Sequence, residues 1–301
     1  MSYLKVGQDA QGNPVNIFYQ DWGQGDPVVL IHGWPADHQM WEHQAHALPH
    51  YGKRVIAYDR RGFGKSDKPW DGYDYDTLAS DLNALLEGLN LQNVTLVGFS
   101  MGGGEVARYM SRYGGARVSK VVLVASVLPY LLKTDDNPDG VDKATFDDIV
   151  DNLRKDRPAF LQTFGKQFYG VGVVSHPVSQ ATLDWMQMIC LQATPHATEA
   201  CAHAWAETDF RQDVLAIRVP TLIIHGTSDK TVPIKSSSDQ LAKLLPSATY
   251  IRYDGEPHGL FATADGKDRL TKDLLEFTGA SGSPVSDDSR YTTAHQPLGS
   301  R

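Results

Sequence analysis

Short, almost unbroken apolar runs recur at residues 28–32, 55–58, 95–98 and 120–125, each four to six residues long and rich in Val, Ile and Leu. A strand with one wet face alternates apolar and polar side chains. These runs do not, so they point to strands covered on both faces inside a parallel sheet. Helical patterns separate them. Residues 76–89 place Leu78, Leu82, Leu85, Leu86 and Leu89 on one stripe, with Asp76 positioned to cap the start. Residues 102–113 read as a second helix, with Arg112 in its last turn and Gly114 at its end. Strand–helix alternation of this kind is the mark of an α/β sheet with helices on both faces.

The alternation then stops. Residues 126–215 show helical patterns at 144–156, 158–169, 180–191 and 195–207 and no clear parallel strand. The last of these opens with Thr194-Pro195, a capping residue followed by proline in the first turn. Strand character returns at 219–225 and 249–253, and an amphipathic helix at 270–277 follows. Because the strands resume, residues 1–125 and 216–278 are expected to form one core, with 126–215 inserted into it as a helical cap. Residues 279–301 carry few, scattered apolar side chains, too few to offset the entropy of ordering, and read as a disordered tail with no catalytic part.

Composition narrows the function classes. The 28 Lys and Arg against 36 Asp and Glu give a net charge of −8, which argues against a nucleic-acid binder needing a concentrated basic face. The longest aliphatic runs are far too short to cross a bilayer, and the first residues lack the apolar stretch of a secretory signal. The two cysteines, Cys190 and Cys201, do not make a disulfide framework. A cytoplasmic globular protein with no membrane partner is expected.

Gly98-Phe99-Ser100-Met101-Gly102 falls directly between the run at 95–98 and the helix that follows. That is the strand–turn–helix setting of a nucleophile elbow. Glycines two residues either side let strand and helix approach closely, so that Ser100 is held in a tight turn with its hydroxyl above the sheet. A serine hydroxyl is a weak nucleophile at neutral pH and needs a base, and the base needs an orienting acid. Asp229 is the only carboxylate in the loop after the run at 219–225, whereas the loop after 120–125 holds Ser126 and meets no carboxylate before Asp135. His258 follows the last strand run; His225, at a strand end, reads as a packed structural histidine. A tetrahedral intermediate also needs two backbone N–H donors. Met101, after the nucleophile, supplies one, and Trp34, freed to turn by Gly33, supplies the other. Phe160, Phe164, Phe168, Trp185 and Met186 are the cap residues placed to line a substrate pocket, together with the Trp34 indole.

Two clusters suggest other chemistry and fall short of it. His38, His43, His46 and His50 crowd one stretch, yet no converging further ligands accompany them, so a solvated face is expected and no metal. The segment 59–66 resembles a phosphate loop, but Asp59 stands where the motif needs glycine.

Taken together these residues resemble the α/β-hydrolase superfamily. The stretches His32-Gly33-Trp34-Pro35, Tyr58-Asp59-Arg60-Arg61-Gly62-Phe63-Gly64-Lys65-Ser66, Gly98 to Tyr109, Gly226-Thr227-Ser228-Asp229 and Pro257-His258-Gly259 carry the likeness. The glycine run 102–104, the Glu-Val-Ala-Arg after it, Leu132-Lys133-Thr134 and Asn137-Pro138 are similar to the cofactor-free (non-haem) bacterial haloperoxidase, arylesterase and perhydrolase branch. The resemblance implies a mostly parallel sheet of about eight strands, with the cap inserted after strand six. It also implies a Ser-His-Asp serine hydrolase of small carboxylic esters, needing no cofactor and no metal. A perhydrolase side activity would take hydrogen peroxide and a carboxylic acid and oxidise halide. The motif is shared by lactonases, carbon–carbon bond hydrolases and cofactor-free dioxygenases. It disfavours haloalkane dehalogenases and epoxide hydrolases, which need a carboxylate at position 100. A non-catalytic binding protein would usually have lost one of the three residues. The resemblance leaves room for a homo-oligomer.

Overall fold

The structure is a computed structural model and describes residues 2–280. The tail expected at 279–301 therefore lies almost wholly outside the described residues. Eight strands form one sheet: β1 (Ser2–Gln8), β2 (Pro14–Trp22), β3 (Asp26–Ile31), β4 (Lys53–Tyr58), β5 (Val94–Phe99), β6 (Val118–Val124), β7 (Thr221–Gly226) and β8 (Thr249–Tyr253). Their spatial order is β1-β2-β4-β3-β5-β6-β7-β8. The first two pairings, β1 with β2 and β2 with β4, are antiparallel, and every later one is parallel.

The helices are α1 (Glu42–Ala47), α2 (Tyr75–Gly88), α3 (Met101–Tyr113), α4 (Lys143–Phe168), α5 (Gln180–Leu191), α6 (Pro195–Glu207), α7 (Arg211–Val214), α8 (Ser238–Leu244) and α9 (Gly266–Thr278). Successive strand residues point to opposite faces, so β3 feeds two cores at once. Val29 and Ile31 pack with Leu82, Leu96, Val106 and Leu241 beneath α2, α3 and α8, whereas Val28 and Leu30 pack with Trp41, Leu48, Leu270 and Leu274 beneath α1 and α9. Both faces are dry, which is why the parallel strands read as unbroken apolar runs.

Helix α2 starts two residues earlier than a cap at Asp76 would place it. Asp74, not Asp76, is the cap: its carboxylate accepts the Thr77 N–H at 2.9 Å. Asp76 stands in the first turn and pairs instead with Arg108 and Arg112 of α3. The 26-residue helix α4 is two helices meeting at Asp156, whose backbone leaves the helical region (φ −161°, ψ 87°). The Asp156 carboxylate caps the second half by accepting the Ala159 N–H at 3.0 Å, and Pro158 fits that first turn. Between β6 and β7 the chain is helical, with only isolated bridges at Leu132–Val141 and Thr134–Asn137. No helix among the described residues is long and apolar enough to cross a membrane.

Candidate active site

The β5–α3 junction is built by exclusion of side chains. A Cβ on Gly98 would lie 2.6 Å from the Gly102 carbonyl oxygen, and one on Gly102 would lie 2.7 Å from that of Ile31. With both glycines the strand turns into the helix at Ser100, whose backbone sits at φ 53° and ψ −118°. An L-residue at positive φ is strained, and the sheet holds this one there: the Ser100 N–H donates to the Val124 carbonyl of β6 at 2.9 Å.

The side chain so presented meets His258. The Ser100 hydroxyl lies 3.0 Å from His258 Nε2, and His258 Nδ1 lies 2.6 Å from Asp229 Oδ2. An ionised carboxylate only accepts, so the imidazole carries its proton on Nδ1 and leaves Nε2 free to accept from Ser100. All three side chains are buried. Asp229 is held from four directions: Thr231 and Val232 N–H donate to Oδ1 at 2.8 Å each, while His225 Nε2 shares Oδ2 with His258 at 3.0 Å. Burial would raise the carboxyl pKa, but the His258 charge and the hydrogen bonds from His225 and His258 hold it well below the usual carboxylate range. His225 thus supports the acid. It also bonds the Val232 carbonyl and, through Nδ1, the Ser238 hydroxyl.

Of the two expected N–H donors, Met101 directly follows Ser100 at the start of α3. Among the described residues neither the Met101 nor the Trp34 N–H is engaged by an acceptor. The loop carrying Trp34 is pressed onto the nucleophile: a Cβ on Gly33 would sit 2.6 Å from the Phe99 ring and 3.1 Å from Ser100 Cβ. The Trp34 indole does more than line a wall. Its N–H donates to the Thr198 carbonyl of α6 at 2.8 Å, and its ring packs edge-on against Phe164 at 5.5 Å.

Of the other pocket candidates, Phe168 packs edge-on against the His258 ring at 4.7 Å, and Phe160 and Phe164 stack with each other at 5.6 Å. Phe164 and Phe168 therefore reach the site from α4, with Phe160 behind them. Met186 is buried and Trp185 half-buried on α5, in the cluster that includes Phe168.

A buried polar network behind Trp34 had no distinct signal in the sequence. Tyr58 at the end of β4 and Arg60 just beyond it both bind Glu105 of α3; the Arg60 Nη2 to Glu105 Oε2 distance is 2.6 Å. Arg60 in turn donates its Nη2–H to the His32 carbonyl at 2.8 Å. A buried ion pair is the only hint such residues offer, and sequence does not announce burial.

The histidine-rich stretch comes apart. His46 and His50 pack on each other at 5.1 Å, His43 stands beside Glu42 on the surface, and His38 turns inward. Asp37, His38 and Asp59 bring three ligand-type atoms within 4.8 Å of one another. Their oxygens are already used. Asp59 Oδ1 accepts from the His38 N–H and ring, Oδ2 from the Lys65 N–H, and Asp37 accepts from Gln39. The cluster ties the loop at 32–38 to that at 59–66, and it gives the phosphate-loop look-alike its structural role.

A doubly covered sheet, a strained serine between strand and helix, and a buried histidine and aspartate from later loops together define an α/β-hydrolase. The family model for the alpha/beta hydrolase fold matches residues 26–265, and the chain belongs to that family. Within it the chain falls in the branch of non-heme haloperoxidases and perhydrolases. It is 41% identical to a non-heme chloroperoxidase of Kitasatospora aureofaciens, covering 87% of this chain and 96% of that one. It is 39% identical to a bifunctional esterase/perhydrolase of Acinetobacter calcoaceticus, over 87% and 96% of the two chains. Among solved structures, the bromoperoxidase from Bacillus anthracis superposes with a TM-score of 0.88 at 47% identity, covering 92% of this chain and 99% of that one.

Proposed function

We propose that this chain is a serine esterase for small carboxylic esters that works through an acyl-Ser100 intermediate. The observation that carries the reading is the hydrogen-bonded line Ser100–His258–Asp229, at 3.0 and 2.6 Å, beside two unengaged backbone N–H groups. His258 takes the Ser100 proton as Oγ attacks the ester carbonyl. Asp229 holds the imidazole tautomer and favours the imidazolium. The Met101 and Trp34 N–H groups receive the oxyanion, and the N-terminus of α3 adds favourable dipole charge. His258 then hands its proton to the leaving alcohol, and water, deprotonated by the same imidazole, releases the acid. We read 1–125 and 216–278 as the catalytic core and 126–215 as a cap whose Phe164 and Phe168 exclude water from the acyl group.

The same intermediate supports perhydrolysis. Hydrogen peroxide in place of water attacks the acyl carbon, losing a proton to His258, and leaves as a peracid with Ser100 regenerated. The peracid then passes one oxygen to bromide, giving hypobromite and the carboxylic acid. The likeness to the esterase/perhydrolase and the chloroperoxidase supports this second outlet. The test is Ser100→Ala assayed on p-nitrophenyl acetate and on bromination of monochlorodimedone with acetate and peroxide. Both activities should fall together. Undiminished ester hydrolysis would reject the esterase reading, and bromination that survives the substitution would separate the two.

A further inference from the structure

A second cavity adjoins the site. It lies between the second half of α4 and α5, with Leu161, Phe164, Phe168, Leu183, Met186 and Ala36 as its apolar walls. Two of these walls are shared with the catalytic centre: Phe164 packs on Trp34, and Phe168 packs on His258. Ala36 is two residues beyond Trp34 on the same loop. The lining surface is mainly apolar, although Gln162, Lys166, Gln180, Asp184 and Gln187 also border it. Tyr169 also lines it, is 2% exposed, and has a hydroxyl with no hydrogen-bond partner. A buried hydroxyl left unpaired is costly, because its hydration is lost and nothing replaces it. Burial, reinforced by the neighbouring Cys190 on the same cavity wall, keeps its proton on. Tyr169 is therefore a buried donor without an acceptor on a mainly apolar wall.

We infer that this slot takes the unbranched apolar arm of the substrate, and that the Tyr169 hydroxyl donates to an oxygen carried on that arm. The inference rests on the esterase reading for its substrate class: esters of medium-length straight-chain acids, favoured when the chain bears a ketone or ether oxygen. Aliphatic walls reward each added methylene by burial, whereas one buried donor rewards a single oxygen at one place along the chain.

The slot is tested by comparing kcat/KM for p-nitrophenyl acetate, octanoate and a set of oxo-octanoates with the ketone walked along the chain. Wild type should prefer one oxo position. Met186→Trp, which fills the slot, should lower the octanoate-to-acetate ratio about tenfold or more. Tyr169→Phe, which removes only the unpaired hydroxyl, should lower the oxo-octanoate-to-octanoate ratio about fivefold, the worth of one neutral hydrogen bond. Methyl hexyl ketone, which has no scissile bond, is titrated calorimetrically into the same proteins and into Ser100→Ala. Ketone binding weakened by Met186→Trp and Tyr169→Phe supports the slot even where no ester is turned over, so failure of the esterase reading shows separately. Ratios and ketone affinity unmoved by either substitution would overturn the inference.

Discussion

Arg60 donates its backbone N–H to His32 Nε2 at 2.9 Å, and this contact decides what the other ring nitrogen can do. With Nε2 accepting, the proton sits on Nδ1 and is donated to the Gly33 carbonyl at 2.9 Å. That carbonyl and the Trp34 N–H are the two ends of one planar peptide, so fixing one direction fixes the other. On the proposed mechanism His32 is a positioning residue for the Trp34 N–H, and Arg60 with Glu105 is the buried frame that holds it.

Removing the frame should act on the transition state. His32→Ala is expected to lower kcat on p-nitrophenyl acetate by about a hundredfold, the scale of one lost oxyanion donor, with little change in KM. A trifluoromethyl ketone, which binds as an oxyanion, should lose affinity by a similar factor. Equal losses in KM and kcat would mean a general disturbance of the pocket instead.

The same ring should make the fold acid-sensitive. Burial first, and the Arg60 charge second, push the His32 pKa down to about 3. The unfolded chain takes up this proton near pH 6.5, so its stabilising contribution is complete above that pH. It then falls as pH drops toward 3, by about 2 kcal/mol at about pH 5. Urea unfolding midpoints from neutral to mildly acid pH should show a steep fall for wild type and a flatter one for His32→Asn. Identical slopes would contradict the burial of a neutral His32.

Asp229→Asn is expected to cost about four orders of magnitude in kcat, because a neutral amide no longer fixes the Nδ1–H tautomer of His258 or balances its charge. Steady-state kinetics with thermal melting as a folding control checks this. A loss below about tenfold would place the orienting acid elsewhere.

Two identical substitutions should have opposite effects on stability. Gly98→Ala drives a Cβ to 2.6 Å from the Gly102 carbonyl, whereas a Cβ at Gly165 on α4 meets nothing within 4 Å. The first should lower stability by about 3 kcal/mol or more or abolish folding, and the second raise it by up to about 1 kcal/mol. Chemical denaturation of both variants decides it.

The parallel strands are legible because burial on both faces writes an unbroken apolar run, clearest in β3, β4, β5, β7 and the second half of β6; β8 is partly exposed and breaks its run with Arg252. The antiparallel strands β1 and β2 were not picked out individually. In β2, next to the edge strand β1, Val15, Ile17 and Phe18 are buried among half-buried and exposed neighbours, and the pattern is diluted. The spacing of Ser100, Asp229 and His258 was readable because each follows a strand, and strand ends converge at one edge of such a sheet. Asp74 and Asp76 both precede the leucine stripe, and only the turn geometry selects Asp74 as the cap. The roles of Arg60, Glu105 and Tyr169 depend on which side chains end up without water, which no local pattern encodes. The same holds for which cap aromatics reach the site, Phe168 on His258 and Phe164 on Trp34.

The most direct measurement is peptide mapping by mass spectrometry after rapid acid quench of the protein mixed with p-nitrophenyl acetate. An acetyl group on Ser100, formed within the first turnover and missing from Ser100→Ala, is the expected result. Turnover without any adduct on Ser100, or an adduct on another residue with Ser100→Ala still active, would contradict nucleophilic catalysis by Ser100.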